Sequence, residues 1–168
     1  RGVDTSLFHP NKADSEMRTR LTNGIDDKKL LLYVGRLAPE KEIEKIRTVL
    51  EQSDQFVLAI VGDGPHRAEL EQHFQGTNTV FTGFMHGEEL AQAYASSDVF
   101  VFPSTTETLG LVLMEAMASG LPIVAADSGP TREQIEHEKH GLLYNSERLE
   151  SFKDTVLRLE DEALSNKL

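Results

Sequence analysis

The stretch LLLYVGRLAPEK at residues 30–41 decides the fold class. It begins with an unbroken apolar run that ends at Gly35, and similar runs return at residues 56–61 and 99–103. Longer stretches with apolar residues at helical spacing separate these runs. Continuous apolar strands that alternate with amphipathic helices are typical of a parallel sheet covered by helices on both faces. We therefore predict a doubly wound, six-stranded, Rossmann-like α/β sheet.

The same patterns predict the bounds of the elements. The predicted strands cover residues 30–35, 56–61, 79–81, 99–103, 121–125 and 141–144. The predicted helices cover residues 42–52, 65–74, 87–96, 110–119, 130–136 and 147–159. Residues 1–29 are polar and irregular, and we expect them to lead into the domain without regular structure. A length of 168 residues suits a single domain.

Composition and charge exclude several classes of function. The 28 acidic residues outnumber the 17 Lys and Arg, and a net charge of −11 disfavours a nucleic-acid partner. No apolar run approaches the roughly 20 residues that cross a bilayer, so we expect no membrane insertion. The lack of cysteine rules out disulfides and makes the cytoplasm the default compartment. Since the chain begins with Arg1 rather than methionine, we expect it to be part of a longer protein.

The loop after the first predicted strand carries two cations. Arg36 and Lys41 lie at the carboxyl edge of the sheet, which is where doubly wound sheets bind their ligands. A guanidinium and an ammonium can together neutralise a diphosphate. Two solvated surface cations would give the same sequence, and both interpretations stay open at this point.

The loop after the second predicted strand contains two glycines. Gly62 and Gly64 allow the backbone to approach a ligand, and Pro65 suits the first position of the next helix. A tight turn would explain the same residues equally well.

The loop after the fourth predicted strand leads into a helix that begins at Gly110. Unpaired N–H groups of Gly110, Leu111 and Val112 can hold phosphate oxygens at the positive end of that helix. Glu107 and Glu115 can accept hydrogen bonds from the hydroxyls of a sugar and a ribose. Alternatively, Glu107 only complements the helix dipole and Glu115 is a structural carboxylate. Nothing indicates the facing carboxyl pair of a glycosidase.

The six histidines show no pattern of metal ligands. His137 and His140 are three residues apart, but no third ligand accompanies them. We expect the histidines to lie at the surface, and we predict neither a metal site nor a cofactor.

Taken together, the three loops resemble glycosyltransferase family four, a group of retaining transferases with the GT-B fold. The similarity covers nearly the whole chain, from residues 2–5 to residues 141–144. Its most specific marks are VGRLAPEK at 34–41, VGDGP at 61–65, and the segment 107–120 with two glutamates separated by seven residues. The resemblance implies the nucleotide-sugar-binding half of a GT-B enzyme. The acceptor-binding first domain, with its catalytic histidine, would be absent.

The resemblance also implies a role for each matching residue. Arg36 and Lys41 would bind the donor diphosphate and stabilise its charge as the glycosidic bond breaks, without a metal. Glu107 would hold hydroxyls of the donor sugar, and Glu115 would hold the ribose. The other donor-binding residues would be Gly35, Gly62, Gly83, Phe84, Leu109, Gly110, Leu111 and Val112, with Gly83 and Phe84 beside the base and Glu133 supporting the pocket.

Two residues depart from the family pattern. Leu109 stands where an aromatic residue is common, and this changes the expected shape of the sugar pocket. Glu42 stands where glycine or asparagine is common, and it adds an anion near the two cations or caps the next helix.

The function implied by the resemblance is donor binding in a retaining hexosyl transfer. The donor would be GDP-mannose or a UDP-hexose, and a lipid or glycan acceptor would bind to the missing domain, without which we expect no activity. The alternatives are a GT-B sugar-nucleotide epimerase or hydrolase and a non-catalytic nucleotide-sugar-binding module. We expect a cytoplasmic bacterial enzyme, attached at most peripherally to the inner face of the membrane.

Overall fold

The computed structural model describes residues 3–104, 110–126 and 141–144, the last four and residue 126 by their backbone alone. The strands are β1 (Lys29–Val34), β2 (Phe56–Val61), β3 (Thr79–Gly83), β4 (Val99–Phe102), β5 (Ile123–Ala126) and β6 (Gly141–Tyr144). They lie in the order β3-β2-β1-β4-β5-β6, and all neighbours are parallel. The predicted doubly wound α/β class is confirmed. The predicted helices at 130–136 and 147–159 lie outside the described residues.

The strand order reverses between β1 and β4, which are neighbours in the sheet although two strands separate them in sequence. The chain first builds the sheet outward from β1 through β2 to β3, and then returns to the other side of β1. Loops that leave the carboxyl ends of β1 and β4 therefore diverge to opposite faces and leave a crevice between them. This crevice is where an open α/β sheet binds its ligand.

Strand β1 is buried on both faces, which explains why its apolar run is continuous. Leu30, Leu32 and Val34 join a core that includes side chains of three of the helices defined below, α1, α4 and α5. Leu31 and Tyr33 join a second core with side chains of α2 and α3 on the opposite face. Because successive side chains of a strand point to opposite faces, a strand buried on both faces has no polar alternation.

Two of the predicted helices begin later than the sequence pattern indicates, whereas the helices predicted to start at Gly87 and Gly110 begin at those residues. Five α-helices lie in the described residues: α1 (Ser15–Thr22), α2 (Arg47–Gln52), α3 (Arg67–His73), α4 (Gly87–Ala95) and α5 (Gly110–Ala118). The predicted helix at 42–52 starts with a 3-10 turn, Ile43–Ile46, because Glu42 has a left-handed backbone with φ 57°. Pro65 lies in a turn, two residues before the start of α3, so its prediction as first helical residue is wrong.

Helix α1 corrects the expectation that residues 1–29 lack regular structure. The carboxylate of Asp14 accepts a hydrogen bond from the N–H of Met17 at 2.9 Å and so caps the helix. Met17 and Leu21 are its two apolar residues; they lie one turn apart, and both are buried in the core. Two apolar positions in an otherwise polar stretch were too weak a periodic signal for prediction.

None of the helices in the described ranges is long and apolar enough to cross a membrane.

Candidate donor-binding site

The first and second loops predicted to bind a ligand lie against each other. The N–H of Leu37 donates a hydrogen bond to the carbonyl of Asp63 at 3.0 Å. The carbonyl of Leu37 in turn accepts the N–H of His66 at 3.0 Å. These two bonds join the loop after β1 to the loop after β2 over their central residues.

The two glycines of the second loop serve this contact. A Cβ atom on Gly62 would lie 1.9 Å from the carbonyl oxygen of Gly35, and one on Gly64 would lie 2.3 Å from that of Leu37. Both distances are far below van der Waals contact, so any side chain would force the loops apart. The structure thus provides a reason for these glycines other than approach of the backbone to a ligand, which stays a prediction.

The third loop and the end of β3 join the same assembly. The hydroxyl of the buried Ser104, two residues after β4, donates to the carbonyl of Glu40 in the first loop at 3.2 Å. The N–H of Gly62 donates to the carbonyl of Gly83 at 2.9 Å. The ends of β1, β2, β3 and β4 are therefore linked by hydrogen bonds, and the link between Glu40 and Ser104 crosses the crevice between β1 and β4.

The two predicted cations lie on the first loop of this assembly. Arg36 is exposed, and its carbonyl accepts a hydrogen bond from the hydroxyl of Tyr33 at 3.1 Å. Lys41 is half-buried at the end of the 3-10 turn Pro39–Lys41. The loop thus presents an exposed guanidinium and a half-buried ammonium, an arrangement that suits an anionic ligand.

Glu42 does not cap the next helix with its side chain. Its carboxylate pairs with Lys45 at 2.6 Å, so part of its charge is compensated within the same turn. Its φ of 57° is a conformation that glycine and asparagine adopt at lower cost than glutamate. This conformation gives a physical reason for the glycine or asparagine that the family resemblance leads us to expect here.

Helix α5 begins at the carboxyl edge of β4. Gly110 and Leu111 are exposed in its first turn, and Val112 is partly buried. These residues form the first turn of the helix, where the positive end of the helix dipole favours an anion. The structure therefore places a second electropositive feature at the edge that carries Arg36 and Lys41.

Glu115 lies one turn further along α5 and is buried, with 8% of its surface exposed. The hydroxyl of Tyr94, on α4, donates to Oε1 of Glu115 at 2.9 Å. Burial raises the pKa of Glu115, and the hydrogen bond from Tyr94 opposes this by stabilising the charged form. Burial and the neighbouring carboxylate raise the pKa of Tyr94 well above 10.0, so this hydroxyl stays a hydrogen-bond donor.

Phe84 is the most exposed large apolar side chain among the described residues, at 73%. Its ring stacks on that of His86, with 5.5 Å between centroids and 25° between planes. Phe84 directly follows Gly83, the last residue of β3. The guanidinium of Arg67 lies next to Gly83. Asp63 and Glu71 hold this guanidinium at 3.2 and 3.1 Å. The predicted base-binding residues thus present an open aromatic surface at the edge of the assembly.

Three predicted site residues cannot be placed. Glu107, Leu109 and Glu133 lie outside the described residues. The roles predicted for them in holding and surrounding the donor sugar therefore stay predictions.

Sequence reasoning missed two buried polar residues near the site. Tyr94 had no motif of its own and looked like one more aromatic residue on the apolar side of a helix. His66 was expected at the surface but is only 6% exposed, and its Nε2 lies 2.5 Å from Oε2 of Glu44. The one signal in the sequence that could have predicted its burial is its position just after the turn that contains Gly62 and Gly64. By contrast, His9, His73 and His86 are exposed as predicted.

The chain belongs to the glycosyl transferases group 1 family, whose sequence model matches residues 17–168. It is 47% identical over 148 residues to the sulfoquinovosyl transferase SQD2 of Arabidopsis thaliana, covering 86% of this chain and 29% of that protein. It is 45% identical over 143 residues to a GDP-mannose-dependent alpha-mannosyltransferase of Mycobacterium tuberculosis, covering 85% and 36%. The resemblance predicted from the three loops is confirmed, and the chain spans roughly a third of the length of these relatives.

Solved structures show the same architecture. Alr3699/HepE of Anabaena, in complex with UDP and glucose, superposes with a TM-score of 0.83 at 25% identity, over 98% of this chain and 47% of that one. The C-terminal domain of the glycosyl transferase LpcC from Francisella tularensis has a TM-score of 0.71 at 22% identity, over 95% and 88%. The second comparison shows the fold alone.

Proposed function

We propose that this chain binds the nucleoside diphosphate part of a nucleotide-sugar donor for a retaining glycosyl transfer. The observation that carries the proposal is the hydrogen-bonded assembly of strand-end loops around the crevice between β1 and β4. It brings a loop with two cations and the amino end of α5 to one edge of the sheet. Both features favour an anion, although the chain as a whole carries a net charge of −11.

The relatives support a nucleotide sugar as the ligand. Two of them are named for sulfoquinovosyl transfer and for GDP-mannose, and the Anabaena structure holds UDP and glucose. We propose GDP-mannose or a UDP-hexose as the donor and a lipid or glycan as the acceptor. The acceptor would bind to a further domain, and this chain alone would be inactive in transfer.

The proposed chemistry needs electrostatic stabilisation rather than a metal. Arg36 and Lys41 would stabilise the charge that develops on the leaving diphosphate. Glu107 would hold donor-sugar hydroxyls, and Glu115 would accept hydrogen bonds from the ribose. Phe84 and the backbone of Gly83 would lie beside the base. The acceptor would attack from the face that the diphosphate leaves, which retains the anomeric configuration.

A melting-temperature scan with UDP, GDP, ADP and their hexose conjugates tests the ligand class. A ligand at about 100 times its dissociation constant stabilises a protein by roughly 2.7 kcal/mol. A shift with one base would name the donor class. Failure of every nucleotide to shift the melt would contradict the proposal that this chain by itself holds the donor diphosphate.

Removal of either cation tests the site. We expect Arg36→Ala and Lys41→Ala each to weaken binding of UDP or GDP about tenfold or more, since a charge-assisted hydrogen bond contributes roughly 1.5–3 kcal/mol. Calorimetric titration measures the affinity. Lys29→Ala is the matched control because Lys29 lies at the opposite, amino end of β1. Equal affinity in all three variants and the wild type would remove the two cations from the site.

A further inference from the structure

The carboxylate of Glu115 is held by a side chain that is itself tightly packed. Tyr94 has no exposed surface. Its ring meets that of Phe8 edge-to-face at a centroid distance of 5.8 Å, and that of Phe100 at 6.1 Å. Packing on two sides leaves the ring little freedom, so the position of the hydroxyl is determined by the core.

This hydroxyl reaches two parts of α5. It donates to Oε1 of Glu115 at 2.9 Å and lies 3.5 Å from the carbonyl of Val112, one turn earlier. The contacts join α4 to the turn of α5 that begins at the carboxyl edge of β4. A carboxylate has about four acceptor positions, and the bond from Tyr94 uses one of them, so the group can still accept hydrogen bonds from a ligand.

A purely structural role does not account for a carboxylate at this place. Burial of Glu115 raises its pKa, which means that its charged form is destabilised by the fold. A neutral side chain would avoid this cost. Tyr94 lowers the cost, because its hydrogen bond favours the charged form of Glu115. A buried carboxyl group that accepts one directed hydrogen bond from another helix is more common at functional sites than in a core.

We infer that Tyr94 is a positioning residue, which fixes the rotamer of Glu115 so that the carboxylate can distinguish a ribose from a deoxyribose. The inference rests on the proposed function, because it assigns Glu115 to the ribose of the donor. It adds a residue on another helix, which touches no ligand and acts through Glu115. The consequence is selectivity for ribonucleotides that depends on the hydroxyl of Tyr94.

The test compares UDP and GDP with their 2′-deoxy and 3′-deoxy analogues by calorimetric titration. The wild type should bind the ribonucleotide more tightly than at least one deoxy analogue. In Tyr94→Phe, which keeps the ring and its packing, the ratio of the two affinities should fall about three- to tenfold, as expected when one hydrogen bond is lost. Affinity for the deoxy analogue should change little, which a general loss of structure would not produce.

A double-mutant cycle separates positioning from a direct effect. In Glu115→Gln the ratio should also fall, and adding Tyr94→Phe to that variant should lower it little further, since both changes remove the same discrimination. Equal ratios in the wild type and Tyr94→Phe, or independent losses in the cycle, would overturn the positioning role and leave the proposed function intact. A Tyr94→Phe chain that does not fold would assign the hydroxyl to stability instead.

The same titrations distinguish failure of the proposed function from failure of the role of Tyr94. If the proposed function fails, the wild type binds neither UDP nor GDP, and the role of Tyr94 fails together with the site.

Discussion

Glu115 is a charged residue where a neutral one would cost less free energy. Its pKa is raised above 4.5 by burial, so its ionised form lowers the stability of the folded chain at neutral pH. Glutamine has nearly the same shape and can accept the hydrogen bond of Tyr94 through its carbonyl oxygen. We therefore expect Glu115→Gln to raise the melting temperature at pH 7.

The gain in melting temperature from Glu115→Gln should depend on pH, because only the ionised form of Glu115 is destabilising. Below pH 4.5 Glu115 is protonated in both the folded and unfolded chain, and its cost disappears. The gain in melting temperature should therefore shrink as the pH falls through the raised pKa of Glu115 towards 4.5. Thermal melts of both proteins between pH 4 and 8 measure the difference. A constant difference over this range would show that charge is not the reason for the cost.

At the scale of elements, the loops after β1 and β2 form one unit. Gly62 and Gly76 both have positive φ, 141° and 83°, but only Gly62 lies against another loop. Alanine at either position would be destabilising by about 1–2 kcal/mol, because a residue with a Cβ atom disfavours positive φ. At Gly62 its Cβ also collides with the carbonyl of Gly35, whereas it meets no atom within 4 Å at Gly76.

We therefore expect Gly62→Ala to be more destabilising than Gly76→Ala by about 1–3 kcal/mol, the usual cost of overpacking. It should also weaken binding of UDP or GDP, because the loop that carries Arg36 has to move. Denaturant unfolding and titration of both variants give the two numbers. If Gly62→Ala binds nucleotide like Gly76→Ala, the contact between the loops does not shape the site.

The element bounds show where sequence patterns were sufficient. β2 was predicted residue for residue, because its apolar run is continuous and a glycine ends it. The helix expected at 42–52 was placed too early, since the left-handed turn at Glu42 has no signal in a residue type that rarely adopts it. Local patterns thus predicted the type of each element after residue 29, and the conformation of single residues decided where the elements end.

At the scale of the whole molecule, the N-terminal segment is part of the core. Phe8 is 6% exposed and packs edge-to-face on Tyr94. Its removal leaves a cavity beneath the residue proposed to position Glu115. We expect Phe8→Ala to destabilise the chain by about 3–5 kcal/mol. For a domain of this size, that lowers the melting temperature by roughly 6–20 °C.

Phe84→Ala provides the matched control for stability. The same side chain is removed, but Phe84 is 73% exposed and buries little surface on folding. Calorimetric melts of the two variants should therefore differ strongly. Equal melting temperatures would mean that residues before α1 are not packed on the domain in solution.

The candidate site could be predicted only where a motif marked it. The cations Arg36 and Lys41 and the glycines were predicted because they occur in loops after apolar strands, and Glu115 because it lies on the helix that follows such a loop. Tyr94 and His66 were missed because a buried tyrosine or histidine has the same local sequence as an exposed one. Their partners, Glu115 and Glu44, are about twenty residues away, and only packing shows that they meet.

The sequence by itself determined the parallel α/β class, the family and the loops that carry the candidate ligands. These depend on local periodicity and on short motifs, which can be read without knowing which segments are neighbours. The tertiary structure decided that the chain returns from β3 to place β4 beside β1, and that Ser104 meets Glu40 there. It also decided that Tyr94 holds Glu115. The physical reason is that such contacts join residues distant in sequence, and their energy exists only once the sheet and both its cores are assembled.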